Sequence, residues 1–277
     1  MTARSVAVLD WSASNVPSPA RPSADAIWIG VCTAAGESQS YHRTRAAAMD
    51  HLQKLTAQGN WLVGFDFPMG YPAGFAARLT GSSDPLAVWH WLAARLQDGP
   101  DNRNTRFQLA AEMNRKLGAP LFWGRPSGLD LPDLPARKIA DYPGSGLAER
   151  RAVEALVPSA QPVWKLFTTG SVGSQAITGL ARLAPLTRAA DVAVWPFDPR
   201  PARLVLAEIY PSLLAPLVTA AGGIKDQAQV RLLARALWRL QDTGRLQGLM
   251  TDLPAAAQSE GWIIGAGHAA LLQRAAA

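Results

Sequence analysis

Four carboxylates stand where a folded chain could bring them together. Asp10 closes the apolar run Val6 to Leu9, Asp66 closes Trp61 to Phe65, Glu208 follows Arg203 to Ala207, and Asp226 stands at the mouth of a long helical pattern. Aspartate is depleted in strands and costly to bury without a partner, so two of them ending apolar runs need a reason. Acidic groups at the carboxyl ends of neighbouring strands can meet in space and bind hard divalent cations, Mg²⁺ or Mn²⁺. Two such cations can activate water and hydrolyse a phosphodiester. On this reading Asp10, Asp66, Glu208 and Asp226 form the catalytic and metal-binding set. The plainer alternatives are turn caps for Asp10 and Asp66, a surface carboxylate at an exposed strand end for Glu208, and an N-cap for Asp226.

Further residues have the chemistry to hold a phosphate beside such a cluster. Lys225 and Lys165 could neutralise its charge, although a lone lysine is commonly solvated. Thr168 to Gln175 gathers hydroxyls and glycines ahead of a helical pattern, with Ser171, Ser174 and Gln175 as candidates. It is not a Walker A loop, because no Gly-Lys-Ser/Thr follows. Ser12 and Ser14, directly after Asp10, could also contact phosphate, or simply form a turn. Trp89, Trp91, Trp123 and Trp164 could stack on bases or belong to a core. His42 and His90 have no partner at metal-ligand spacing.

The elements that must position these groups read as a mixed sheet. Ser5 to Asp10, Ala26 to Thr33 and Glu37 to Tyr41 predict an antiparallel meander. Thr44 to Leu55 predicts a helix, and Trp61 to Phe67 a buried strand that turns the sheet parallel. Arg203 to Ile209 predicts another buried strand, and Asp226 to Leu240 an amphipathic helix. Residues 70–201, rich in Pro, Trp and Gly, read as a helical and loop-rich insertion with helices at Pro85 to Leu96 and Arg106 to Leu117 and no convincing strand. The expected fold is therefore one α/β domain over 1–277 with a mixed five-stranded sheet.

Composition agrees with a folded domain. Of 277 residues, 48% are hydrophobic, which excludes a mainly disordered chain. The net charge of +6 and pI near 9.9 would draw the protein towards nucleic acid or nucleotides, but the arginines are scattered and a solvated basic surface explains them equally well. Cys32 is a single cysteine and cannot form an internal disulfide. With no secretion-type leader or bilayer-length apolar run, the expectation is a soluble cytoplasmic protein without a membrane partner.

Four segments carry a resemblance that spans nearly the whole chain: Val8-Leu9-Asp10, Gly64-Phe65-Asp66-Phe67-Pro68-Met69-Gly70, Glu208-Ile209-Tyr210-Pro211-Ser212 and Glu260-Gly261-Trp262-Ile263. In this order they resemble the predicted nucleases of ribonuclease H-like fold known as a domain of unknown function. The resemblance implies a ribonuclease H-like sheet and Asp10, Asp66 and Glu208 as its acidic site. One departure stands out. The family carries an aspartate-alanine pair in the last helix, whereas here that helix reads Asp226-Gln227-Ala228, so Asp226 either substitutes by a shift of register or the fourth ligand is missing.

The first expectation is thus a metal-dependent phosphodiester hydrolase. An actin-like ATPase-type phosphotransferase would repeat its core twice, and one copy is visible. A non-catalytic nucleic-acid or nucleotide-binding module is the third reading, favoured by the departure in the last helix.

Overall fold

The structure, a computed structural model, describes residues 4–277. Three strands, β1 (Ser5–Asp10), β2 (Ile27–Thr33) and β3 (Gly36–His42), form the antiparallel meander, and β4 (Trp61–Phe65) lies parallel to β1. The change of direction is made by helix α1 (Arg45–Leu55), since parallel neighbours need a long crossover. Thr44 starts this helix by accepting the Ala47 N–H at 3.2 Å.

Strands β5 (Val192–Val194) and β6 (Leu204–Glu208) complete the sheet in the order β3-β2-β1-β4-β6-β5. The expected five strands are six. The extra one, β5, lies within residues 70–201 and spans only Val192-Ala193-Val194, too short to display a period in sequence. It pairs parallel with β6 at the sheet edge.

Both faces of the sheet are covered. Leu9, Ile29, Val63, Phe65 and Leu206 pack against α1 and the insertion helices α2 (Pro85–Ala93), α3 (Arg106–Leu117) and α4 (Gly173–Leu183). Val6, Val8, Leu62, Ala207 and Ile209 face α5 (Lys225–Asp242) and α6 (Ala269–Ala276). Each fully buried Leu, Ile or Phe here gains roughly 1.5–3 kcal/mol in transfer free energy. The insertion is therefore one layer of the protein. Trp89 and Trp164 are core residues within it, and Trp91 and Trp123 pack against the same cluster, so these rings stabilise the layer instead of presenting a stacking platform.

Two glycines set how closely helices approach the sheet. A Cβ on Gly30 would lie 2.5 Å from the Val230 carbonyl, so its absence lets α5 rest directly on β2. A Cβ on Gly179 would fall 2.2 Å from the Phe67 ring, and without it α4 packs beside the end of β4. Gly30 pairs with Val8 across the sheet. From Val230 back to Asp226 is one helical turn, about 6 Å, and from Val8 forward to Asp10 is two strand residues, about 6.6 Å. The depth of α5 on the sheet thus carries Asp226 towards Asp10. Among the described residues no helix is long and apolar enough to cross a membrane.

Gly30→Ala is expected to lift α5 and cost about 1–3 kcal/mol, the range of a methyl forced into a filled site. Urea denaturation of the purified variant checks this, and unchanged stability would contradict the packing described.

Candidate acidic site

Asp10 is the last residue of β1, and Asp66 follows the last residue of the parallel neighbour β4. The two side chains lie side by side at the carboxyl end of the sheet, where open α/β sheets place their ligands. The Trp11 N–H donates to Asp66 Oδ1 at 2.8 Å and fixes that carboxylate against the chain following Asp10. Asp226, buried in the first turn of α5, completes the group. It is not the N-cap, which is Ile224. Its Oδ2 instead accepts the Asp25 N–H at 2.6 Å, so the carboxylate ties the helix start to the loop before β2.

The electrostatics bind these three together. Burial, reinforced by the Asp66 and Asp226 charges, raises the Asp10 pKa well above the usual carboxylate range, while Lys225 pulls it down. Burial likewise pushes Asp66 up to about 8, with Asp226 adding to the rise and the Trp11 N–H opposing it. Asp226 is raised by burial, against the pull of the Asp25 N–H and of Lys225. Like charges held out of water retain a proton or require a cation. Lys225 is exposed beside Asp226 and is the cation whose charge reaches both Asp10 and Asp226.

The structure does not bring Glu208 to this group. Register pairs Glu208 with Phe65 on the insertion face, whereas Asp10 and Asp66 are each one residue out of step with it and belong to the α5 face. Glu208 Oε1 accepts Arg151 Nη2 at 2.6 Å, and its Oε2 accepts Arg151 Nη1 at 2.7 Å and the Met69 N–H at 2.9 Å. Arg151 Nε also donates to Glu154 at 3.0 Å. Burial pulls the Arg151 pKa down, but the two carboxylates outweigh it and hold it above its ordinary value. Glu260 joins from the carboxyl-terminal segment, accepting the Ala73 and Ala152 N–H groups at 2.9 and 2.6 Å. The segments around Met69, Glu208 and Glu260 therefore meet at a buried ion pair that locks the insertion to the sheet.

The remaining candidates divide. Gln175 Nε2 donates to the Trp11 carbonyl at 2.5 Å and so borders the aspartates. Ser12 Oγ accepts the Ser14 N–H, and Ser14 Oγ donates to the Val16 carbonyl, which makes both turn formers. Ser174 Oγ donates to the Leu166 carbonyl at 2.6 Å, and Ser171 takes part in a turn through its N–H to Thr168. Lys165 Nζ is engaged by the Thr169 carbonyl at 2.7 Å within the insertion. A cavity lined by Arg4, Ser5, Ala34 and Trp238 opens at the other end of β1 from Asp10.

Among the described residues no three or more His, Cys, Asp or Glu side chains converge tightly enough to form a ready metal cage. No protein-family model, curated protein or solved structure matches the chain.

An acid with a raised folded-state pKa binds more protons folded than unfolded, so Asp66 costs stability as pH rises from 3.8 towards about 8. In metal-free buffer at pH 8, Asp10→Asn/Asp66→Asn is expected to melt roughly 4 °C or more above the wild type, with the gap closing towards pH 4, as followed by calorimetry. Arg151→Met, which leaves Glu208 and Glu154 buried without their cation, is expected to lose about 3–5 kcal/mol in urea denaturation at pH 7.

Proposed function

We propose that the protein is a metal-dependent phosphodiester hydrolase, nuclease-like, working at Asp10, Asp66 and Asp226. The observation that carries this reading is the convergence of three carboxylates, each with a raised pKa, where two neighbouring parallel strands and a helix start meet. The sheet order, with β1 flanked by an antiparallel β2 and a parallel β4, supports a ribonuclease H-like assignment and agrees with the resemblance drawn from the sequence.

The donor set is all oxygen and carries excess negative charge, which fits a hard divalent cation. Magnesium commonly binds through one or two carboxylates, with water and substrate phosphate filling the other positions, so the lack of a three-ligand cage suits it. Asp10 and Asp66 would hold the cation with Asp226 beside them. Bound there, Mg²⁺ or Mn²⁺ would polarise the phosphate and lower the pKa of a coordinated water.

The chain's own residues supply the rest. The Trp11 N–H orients Asp66 through its Oδ1. Asp226, anchored by the Asp25 N–H, holds negative charge close to Asp10. Lys225 offers its ammonium to phosphate oxygens at the open side of the group. The engagement of Glu208 by Arg151 favours a second reading, a nucleic-acid or nucleotide-binding module that holds a cation and phosphate without turnover.

Incubation with Mg²⁺ or Mn²⁺ and a panel of single-stranded, duplex and branched DNA and RNA separates the two. Metal-dependent cleavage that falls at least about a hundredfold in Asp10→Asn supports the hydrolase. Metal-dependent nucleic-acid binding without cleavage in the wild type contradicts it and supports the binding module.

A further inference from the structure

Large apolar side chains stand exposed at four places among the described residues, Val16, Ile139, Leu156 and Phe167, and two of these border the acidic site. Val16 belongs to the loop that follows Asp10. Phe167, the one aromatic ring of the four, lies in the segment leading into α4 and is 43% exposed. Hydrogen bonds tie this segment to the aspartates. Ser174 Oγ donates to the Leu166 carbonyl at 2.6 Å, the adjacent Gln175 Nε2 donates to the Trp11 carbonyl at 2.5 Å, and the Trp11 N–H donates to Asp66. Arg106 joins the two loops by donating to Asn15 Oδ1, next to Val16, and to Ser174 Oγ at 2.9 Å.

Local structure turns the Phe167 ring outward. Residues 164–167 run alongside Trp123, whose N–H donates to the Trp164 carbonyl at 3.1 Å and whose carbonyl accepts the Leu166 N–H at 2.9 Å. Alternation sends Trp164 and Leu166 into the insertion core and leaves Lys165 and Phe167 on the outer side. Phe107 supports the Phe167 ring in an edge-to-face contact, with centroids 6.3 Å apart at 78°. Thr168 then reverses the chain at a φ of 76°, a left-handed conformation that a β-branched residue adopts only under strain, and such strain clusters at ligand sites. Lys165 stands two residues before Phe167, about 6.6 Å along the strand. It gives one N–H to the Thr169 carbonyl at 2.7 Å and has no carboxylate partner among the described residues, so its ammonium keeps donors for an anion.

We propose that Phe167 is a stacking platform for an unpaired nucleobase, with Lys165 on the phosphate of the same nucleotide. An aromatic face takes any base, and an ammonium beside it takes the backbone. Resting on the hydrolase reading above, the strand that crosses the aspartates places a neighbouring base on Phe167. The substrate class is then single-stranded or locally unpaired nucleic acid, because the bases inside a duplex are already stacked on both faces. The exposed Phe167 thereby takes the role that the buried Trp89 and Trp164 cannot.

Fluorescence anisotropy of labelled single strands in metal-free buffer at fixed ionic strength tests the platform without needing hydrolysis. Wild type should bind a short oligodeoxythymidylate about tenfold more tightly than an abasic strand of the same length, the gain from a base–aromatic stack. Phe167→Ala should bind the two strands equally, at the affinity of the wild type for the abasic one, which excludes loss of folding as the cause. Phe167→Trp should keep the preference, and Lys165→Gln should weaken the binding of both strands. No preference in the wild type, a preference kept in Phe167→Ala, or undiminished binding in Lys165→Gln overturns the inference even where metal-dependent cleavage persists. A Phe167-dependent preference in a protein that cleaves nothing upholds the platform while the hydrolase reading fails.

Discussion

Successive side chains of a strand point to opposite faces, and in this protein that alternation along β1, β4 and β6 decides which carboxylates can meet. Val6, Val8 and Asp10 share the α5 face, and Leu204, Leu206 and Glu208 share the insertion face. Shifting a strand by one residue would exchange its apolar set between the two cores, so the cores themselves hold the register that separates the acidic groups. Gly30 adds the third dimension by letting α5 lie on the sheet, which brings Asp226 down to the level of Asp10.

The two carboxylate centres differ in charge balance. Around Arg151, Glu208 and Glu154 are paired with a buried guanidinium, and the oxygens of Glu208 and Glu260 are further occupied by backbone N–H groups. A buried pair of this kind adds little net stability over apolar packing, but removing one partner is costly, so it fixes how the insertion docks. Burial raises Asp10, Asp66 and Asp226, and the exposed Lys225 is the cation whose charge reaches Asp10 and Asp226.

Much of this architecture could be read from the amino-acid order because it rests on strong local signals. The continuous apolar runs at Val6 to Leu9, Trp61 to Phe65 and Leu204 to Ala207 are strands, and the periodic pattern after Asp226 is the helix that covers them. Asp10 and Asp66 stood out because each ends such a run. Glu208 stood out for the same reason, yet whether it faces Asp10 or the insertion depends on pairing register, which no single run reveals. Arg151 sits in Glu149-Arg150-Arg151, which reads as solvated charge, and only the tertiary fold buries it against Glu208. Strand β5 was too short to announce itself.

On the proposed reading, the Asp10 and Asp66 carboxylates form a cation site. Anomalous diffraction from crystals soaked in Mn²⁺ at pH 7.5 tests it most directly. A cation site there gives an anomalous peak within about 2–2.5 Å of oxygens from Asp10 and Asp66 with Asp226 nearby, absent in Asp10→Asn/Asp66→Asn crystals. A peak confined to the Glu208 and Glu260 region, or two protonated aspartates hydrogen-bonded to each other in place of a bound metal, would contradict it.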